Sequence, residues 1–252
     1  MNNPSKKKRR LDVALVERGD FDSRARAQAA IKASMVTVDG NVETKPSRSI
    51  PESAQIKVIG AAHSYVSRGG LKLEAALDAF NIDPSGKVCL DLGASTGGFS
   101  DVLCRHGAEK IYAVDVGRGQ LHADLLHNPR IINLEKTHAR DLSVALISDP
   151  IDLIVCDVSF ISLKKALPVP MALGRPSAHL IALVKPQFEV GQENIGKGGI
   201  VRPGRENAEG VAEDIAQWVN ARQGWRFLEF VESPITGGDG NREFLLAASR
   251  QK

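Results

Sequence analysis

An apolar run at Val88–Leu92 ends in a glycine-rich turn, and this change of pattern constrains the fold more than any other feature of the chain. The turn contains Gly93, Gly97 and Gly98, and the residues after it have a helical composition. Glycine lets a chain turn tightly, and it lets backbone N–H groups approach a ligand where a Cβ would collide. The pattern predicts a strand, a ligand-binding turn and a helix in succession.

The spacing of the glycines narrows the class of ligand. Dinucleotide-binding turns follow G-x-G-x-x-G, and phosphate-binding loops place a lysine directly after the glycines. Neither pattern occurs in Asp91–Phe99. We therefore expect a ligand that is not held mainly by phosphate. A turn that only packs a strand against a helix is the alternative that this segment alone leaves open.

Strand-like apolar runs alternate with helical patterns beyond this point. The first five predicted strands are Val88–Leu92, Ile111–Val116, Ile131–Leu134, Leu153–Cys156 and Leu180–Val184. Such alternation predicts an α/β fold with a mostly parallel sheet covered by helices. Two later runs, Phe227–Val231 and Phe244–Ala248, are joined by a turn-rich segment and predict one antiparallel strand that closes the sheet.

Polar side chains follow these strands, and ligands of open parallel sheets bind beyond the carboxyl ends of the strands. Asp115 has the spacing expected of an acid that accepts hydrogen bonds from ribose hydroxyls. Asp141, after the third strand, is a candidate acceptor for an adenine amino group. An adenosine held by its ribose and base, without a phosphate lysine, indicates S-adenosylmethionine rather than ATP or NAD. The predicted cofactor site comprises Asp91, Gly93, Ala94, Ser95, Gly97, Gly98, Phe99, Asp115, Val116, Asp141 and Leu142.

The composition argues against several classes of protein. The chain has 252 residues, of which 42% are hydrophobic, but no run of about 18 apolar residues is present to cross a bilayer. The basic N-terminus lacks the apolar stretch of a signal peptide. We therefore expect a cytoplasmic protein without stable membrane insertion. Cys104 and His106 have no further ligands near them in sequence, so we expect no metal site.

Positive charge is concentrated at the N-terminus. Residues 1–60 contain 12 lysines and arginines against 7 acidic residues, whereas residues 61–252 contain 21 against 23. This asymmetry indicates contact with nucleic acid or another anionic surface, with a solubilising basic tail as the alternative. Arg24, Arg26 and Lys32 fall on exposed parts of a predicted helix, where cations can meet phosphates.

The N-terminal stretch resembles the S4 RNA-binding domain. The resemblance is carried by S-R-A-R-A at Ser23–Ala27 and by V-T-V-D-G at Val36–Gly40. It implies contact with RNA and does not specify which RNA. The predicted RNA-binding residues of the whole chain are Arg9, Arg10, Arg24, Arg26, Lys32, Arg68, Lys197 and Arg202.

From Tyr65 onward the chain resembles the hemolysin A (TlyA) type of ribosomal RNA 2′-O-methyltransferases, which are related to the FtsJ methyltransferases. The matching strings are Val66–Leu73, Asp157–Leu163, Leu183–Glu189, Gly196–Gly199 and Gly240–Leu245. The resemblance implies a Rossmann-like methyltransferase that uses S-adenosylmethionine and methylates a cytidine ribose in ribosomal RNA. We expect an α+β RNA-binding domain at residues 1–60, a linker at 61–68 and the methyltransferase domain at 69–252.

The family's catalytic tetrad, Lys-Asp-Lys-Glu, corresponds to Lys72, Asp157, Lys185 and Glu243 in this sequence. The resemblance implies that Lys185 removes the proton of the 2′-hydroxyl. Lys72 would disfavour the protonated form of that base and orient the hydroxyl, and the two carboxylates would hold the lysines. Positioning and a general base suit this reaction because the acceptor is a weakly acidic alcohol.

Two other functions stay open from the sequence. The name hemolysin suggests a lytic, membrane-active protein. A ribosome assembly factor that binds RNA beside an inactive cofactor pocket would carry the same motifs. We expect ribosomal RNA or a ribosomal subunit as the partner of either RNA-related function.

Overall fold

The computed structural model describes residues 8–21, 24–32, 35–58, 65–191, 194–196, 201, 208–237 and 240–251. The chain divides into two compact units, Met1–Ser64 and Tyr65–Lys252. Residues 65–68, which the sequence assigns to the linker, lie in the second unit. They are attached there because the backbone N–H of Val66 donates to the Asp101 carboxylate at 2.9 Å.

The first unit is a small α+β domain. Its described elements are β1 (Lys8–Arg10), α1 (Leu11–Glu17), α2 (Arg24–Lys32), β2 (Val36–Val38), β3 (Asn41–Val42), β4 (Ser49–Pro51) and β5 (Ile56–Val58). Strand β2 lies between β3 and β5, and β1 pairs with β4; all of these pairs are antiparallel. Leu11 and Leu15 of α1 pack with Ile31 of α2 to form a core.

The predicted hairpin is present in this unit. Asp39 and Gly40 join β2 to β3 with φ values of 52° and 83°. Tight hairpin turns of this kind need positive φ at both central residues, which explains the Asp-Gly pair.

A seven-stranded sheet forms the centre of the second unit. Its strands are β6 (Val88–Leu92), β7 (Lys110–Val114), β8 (Ile131–Leu134), β9 (Ile151–Cys156), β10 (Gly174–Val184), β11 (Trp225–Glu232) and β12 (Phe244–Arg250). They lie in the order β11-β12-β10-β9-β6-β7-β8. Strand β12 is antiparallel to β10 and β11, and the other neighbours are parallel. The predicted sheet, mostly parallel with one antiparallel strand, is confirmed.

Helices cover both faces of this sheet. They are α3 (Gly69–Phe80), α4 (Gly98–Arg105), α5 (Ala123–Leu126), α6 (Leu163–Ala166), α7 (Pro168–Leu173), α8 (Pro186–Glu189) and α9 (Ala208–Asn220), with a short 3-10 helix at Ala139–Asp141. Leu90 and Ile154 pack on the face with α7 and α9, whereas Cys89 and Val155 pack on the face with α3 and α4. Among the described helices, none has both the length and the apolar character to span a membrane.

Replacement of Leu90 tests the packing of β6, an interior strand that lies between β9 and β7. Its side chain is fully buried, so we expect Leu90→Ala to lower the free energy of unfolding by about 2–5 kcal/mol in urea denaturation. Val144 is 76% exposed, and Val144→Ala is expected to change stability by less than about 0.5 kcal/mol. Equal losses for the two variants would contradict this packing.

Candidate active site

Gly93 joins strand β6 to the candidate site in a conformation that favours glycine. Its φ is +84°, and an added Cβ would lie 2.8 Å from the carbonyl oxygen of Asp157. The backbone N–H of Gly93 donates to the carbonyl of Val114 at 2.9 Å. The turn is therefore closely packed between the ends of β7 and β9.

Gly97 and Gly98 lie in close contact with neighbouring side chains of the protein. A Cβ on Gly97 would lie 2.3 Å from a methyl of Leu125, and one on Gly98 would lie 2.1 Å from the Ser67 hydroxyl. Only glycine fits at these two positions, because α5 packs against Gly97 and residues 65–68 pack against Gly98. Phe99, beside them, is buried in the apolar core.

A cavity of about 550 Å³ lies beyond the carboxyl ends of the central strands. Most of its lining lies at or just after the carboxyl ends of four strands: Leu92, Gly93 and Ser95, Val114–Val116, Thr137–Arg140, and Asp157–Ile161, with Gln120, Lys165 and Ala166 completing it. The predicted cofactor residues Asp91, Ala94, Gly97, Gly98 and Phe99 are not among the lining residues. The volume is within the range of about 300–1,000 Å³ that small-molecule sites occupy.

Asp115 and Val116 border this cavity after β7. The two carboxylate oxygens of Asp115 accept from the backbone N–H groups of Ser95 and Gly117 at 2.8 and 2.7 Å. These bonds fix the carboxylate, and each oxygen retains capacity for another donor. Val116 is 61% exposed, so it offers apolar surface at the cavity edge.

Asp141 and Leu142 are not among the residues that line the cavity. Asp141 has a side chain that is 56% exposed and pairs with Arg140 at 3.7 Å. Leu142 is buried in the core. The 3-10 helix at Ala139–Asp141 turns the acid outward, so the cavity wall here consists of Thr137 to Arg140 instead. Sequence analysis placed the contact at Asp141 and Leu142, directly after this wall, because the pattern alone does not show where the chain turns.

Asp91 places a buried carboxyl near the carboxyl end of strand β6. One oxygen accepts from the Ser100 hydroxyl at 2.6 Å, and the other has no hydrogen-bond partner within the part of the chain that the structure describes. Burial raises the pKa of Asp91 to about 7, although the Ser100 bond opposes this rise. A buried acceptor without a donor is costly, so this oxygen is suited to accept a hydrogen bond from a bound group.

Strand register brings three of the four tetrad residues to one edge of the sheet. Phe244 of β12 pairs with Val184 of β10, so Glu243 and Lys185 occupy the next positions on these strands. Asp157 follows β9, the other neighbour of β10, and its backbone N–H donates to Leu92 at 2.9 Å.

The tetrad forms two lysine–carboxylate pairs. Lys72, in the first turns of α3, donates to Glu243 at 2.5 Å, and Lys185 pairs with Asp157 at 2.6 Å. Lys185 also donates to the Ser159 hydroxyl at 2.9 Å. Both lysines are more than 90% buried. Buried charged amines without carboxylate partners would be strongly unfavourable, so each carboxylate stabilises the buried lysine with which it pairs.

Phe160 is the most exposed large apolar side chain described in the second unit. It is 90% exposed, and its φ of +65° is unusual for an aromatic residue. Its ring lies 5.0 Å from that of Phe188, and its residue borders the cavity next to Ser159. Strain of this kind at an exposed aromatic residue is typical of a binding position.

The predicted RNA-binding cations have different surroundings. In the first unit Arg9 pairs with Glu17 at 2.6 Å, and Arg10 and Arg24 both pair with Asp12, whereas Lys32 is exposed. In the second unit Arg68 is half-buried next to α3, and burial lowers its pKa.

Three of the predicted RNA-binding positions cannot be placed. Lys197, Arg202 and the side chain of Arg26 lie outside the described residues. Within the described part of the chain, no group of three or more potential ligands is arranged to hold a metal ion.

The sheet order, with its single antiparallel strand, and the cavity after β6 and β7 define the second unit as a Rossmann-like methyltransferase domain. Residues 65–250 match the model of the FtsJ-like methyltransferase family, and residues 9–56 match that of the S4 domain. The methyl donor of this class is S-adenosylmethionine.

Relatives that match more than nine-tenths of the chain define the family more narrowly. The chain is 44% identical to the Bacillus subtilis protein named "Putative rRNA methyltransferase YqxC", over 95% of this chain and 85% of the relative. It is 41% identical to the 16S/23S rRNA (cytidine-2′-O)-methyltransferase TlyA of Mycobacterium tuberculosis, over 94% and 88%. A solved structure named "Putative hemolysin from Streptococcus thermophilus" is 38% identical, with a TM-score of 0.74 and coverage of 98% and 90%. The chain belongs to the TlyA family of rRNA methyltransferases.

Replacement of Gly93 tests the tight contact between the turn and Asp157. We expect Gly93→Ala to lower the free energy of unfolding by about 1–3 kcal/mol more than Gly86→Ala, and to weaken S-adenosylmethionine binding. Gly86 is the matched control because its φ is +66° but no atom lies within 4 Å of an added Cβ. Urea denaturation and calorimetric titration measure the two effects. Similar results for both variants would show that only backbone strain matters.

The raised pKa of Asp91 predicts a pH dependence of stability. The folded chain keeps this carboxyl protonated up to about pH 7, whereas the unfolded chain ionises it near pH 4. Stability should therefore fall as the pH rises between these values. From about pH 5 to about pH 7.5, the ligand-free wild type should lose up to about 3 kcal/mol more than Asp91→Asn in urea denaturation. Parallel pH profiles would be inconsistent with a buried, titrating Asp91.

Proposed function

We propose that this protein transfers the methyl group of S-adenosylmethionine to a ribose 2′-hydroxyl of a cytidine in ribosomal RNA. The proposal depends chiefly on the two buried lysine–carboxylate pairs, Lys72–Glu243 and Lys185–Asp157, beside a cavity of cofactor size. The TlyA relative from Mycobacterium tuberculosis, named for this reaction, supports the choice of acceptor. An RNA-binding S4 domain in the same chain is consistent with it.

The cofactor site is proposed at the ends of β6 and β7. Asp115 would accept hydrogen bonds from the ribose hydroxyls of the cofactor, as acids at this position of Rossmann-like folds do. Asp91 would accept from the ammonium group of the methionine part, which would supply the missing donor to its unpartnered oxygen. Val116 and Val158 would cover the adenine with apolar surface. When bound, S-adenosylmethionine supplies an electrophilic methyl group.

The chain's own residues would prepare the acceptor oxygen. Lys185, when deprotonated, would accept the proton of the 2′-hydroxyl as the oxygen attacks the methyl carbon. Asp157 and Ser159 hold its Nζ from two sides, at 2.6 and 2.9 Å. Lys72, fixed by Glu243, would donate to the acceptor oxygen and keep it in line. Fixed geometry of this kind is a major source of rate for a weakly acidic alcohol.

Phe160 is suited to hold the acceptor nucleotide. Proteins that recognise single nucleotides of RNA stack the base on an exposed aromatic ring. Phe160 offers such a ring on the same loop as Asp157 and Ser159.

The proposed contacts to RNA phosphates are the basic side chains predicted from the sequence: Arg9, Arg10, Arg24, Arg26, Lys32, Arg68, Lys197 and Arg202. A ribosomal substrate would place the protein in the cytoplasm, where ribosomes work.

Lys185→Ala tests the proposed base. We expect the rate of methyl transfer from labelled S-adenosylmethionine to ribosomal RNA or subunits to fall by about 10²–10⁴-fold. Cofactor affinity, measured by calorimetry, should change much less than the transfer rate, because Lys185 does not line the cavity although its partner Asp157 does. Lys110→Ala is the control, since Lys110 pairs with Asp149 at the opposite edge of the sheet.

Two outcomes would favour the alternative functions. Equal incorporation by wild type and Lys185→Ala would remove Lys185 from the mechanism. Cofactor binding without transfer to any ribosomal RNA or subunit would favour a non-catalytic assembly factor. Lysis of erythrocytes by both wild type and Lys185→Ala would reveal a membrane activity separate from methyl transfer.

A further inference from the structure

We propose that Glu189 is a positioning residue for the methyl acceptor, because its hydrogen bonds fix the loop that carries Phe160. This inference rests on the proposed function and concerns a residue outside the tetrad. The loop, Asp157–Ser162, connects β9 to α6. It holds both partners of Lys185 and the exposed Phe160.

The far end of this loop is fixed by Glu189. One oxygen of its carboxylate accepts from the backbone N–H of Leu163 at 2.7 Å, and the other accepts from the Ser162 hydroxyl at 2.5 Å. Ser162 in turn accepts from the N–H of Lys164 and caps α6. Glu189 therefore holds the point where the loop becomes a helix.

The same short helix begins next to the proposed base. Helix α8 follows Lys185 directly and ends at Glu189. It meets the loop at three places: Lys185 with Ser159 and Asp157, the Phe188 ring with the Phe160 ring, and Glu189 with Ser162. The base and the Phe160 ring are thus linked through α8 by two sets of polar contacts and one contact between aromatic rings.

The surroundings of Glu189 fit a positioning role better than the role of a solvent-exposed surface acid. Its carboxylate is half-buried, and burial raises its pKa. Burial of a carboxylate costs free energy unless it is hydrogen-bonded. Here one bond comes from Ser162, the last residue of the loop, and the other from Leu163, the first residue of α6. Since a displacement of about 1 Å at the reacting groups costs about a hundredfold in rate, the loop position matters for transfer.

Glu189→Ala and Glu189→Gln are the principal variants. We expect Glu189→Ala to lower kcat/KM for RNA by about tenfold to a hundredfold. Glu189→Gln should restore most of it, because its amide oxygen can still accept from Leu163 and its amide group can donate to Ser162. Asp149→Ala is the matched control. Asp149 also accepts from two side chains, Lys110 and Tyr112, but at the opposite edge of the sheet.

A double-mutant cycle separates positioning from general destabilisation. If Glu189 acts through Phe160, Glu189→Ala should cost much less in a Phe160→Ala background than in the wild type. Ser162→Ala provides a second route if Glu189→Ala does not fold, and it should show the same non-additivity. Additive losses, or an unchanged kcat/KM in these variants, would overturn the inference. Absence of transfer by the wild type would instead overturn the proposed function.

Discussion

The antiparallel strand β12 is the constraint on which the proposed active site depends. Its pairing with β10 places Phe244 opposite Val184, and this register brings Glu243 next to Lys185. A shift of one residue would turn Glu243 to the other face of the sheet. The parallel pairing of β9 with β10 adds Asp157 on the other side. Asp157 and Glu243 are 86 residues apart in sequence, and the backbone hydrogen bonds of the sheet bring them to the same edge.

The buried charges explain why this edge is closely packed. Lys72 and Lys185 are each more than 90% buried and each has a carboxylate partner. Removal of either partner would leave an uncompensated buried charge, which generally costs several kcal/mol. Gly93 allows the Asp157 backbone to approach β6, where a Cβ would collide. The same contacts that hold the charges together also define one wall of the cavity.

The strands and the mostly parallel character of the sheet could be predicted from sequence, but contacts across the fold could not. Apolar runs predicted β6 and β8 with their observed ends, because strand-like runs between turn residues have a clear pattern. The position of Asp141 after β8 predicts a place in the cofactor site, whereas in the structure it ends the 3-10 helix with a side chain that is 56% exposed and it does not line the cavity. Glu189 lies in the motif Leu183–Glu189, but the motif does not predict its contacts. Its bonds to Ser162 and Leu163 depend on how α8 meets α6, which periodicity does not contain.

The first unit shows why counting basic residues overstates the charge offered to RNA. Asp12 is fully buried, and hydrogen bonds from Arg10, Gln28 and Arg24 keep its pKa well below its usual range. It therefore stays ionised and offsets part of the charge of both arginines. The side chains of Arg10 and Arg24 are nevertheless 48% and 57% exposed. An RNA phosphate would meet two guanidinium groups already fixed by one carboxylate, so less conformational entropy would be lost on contact.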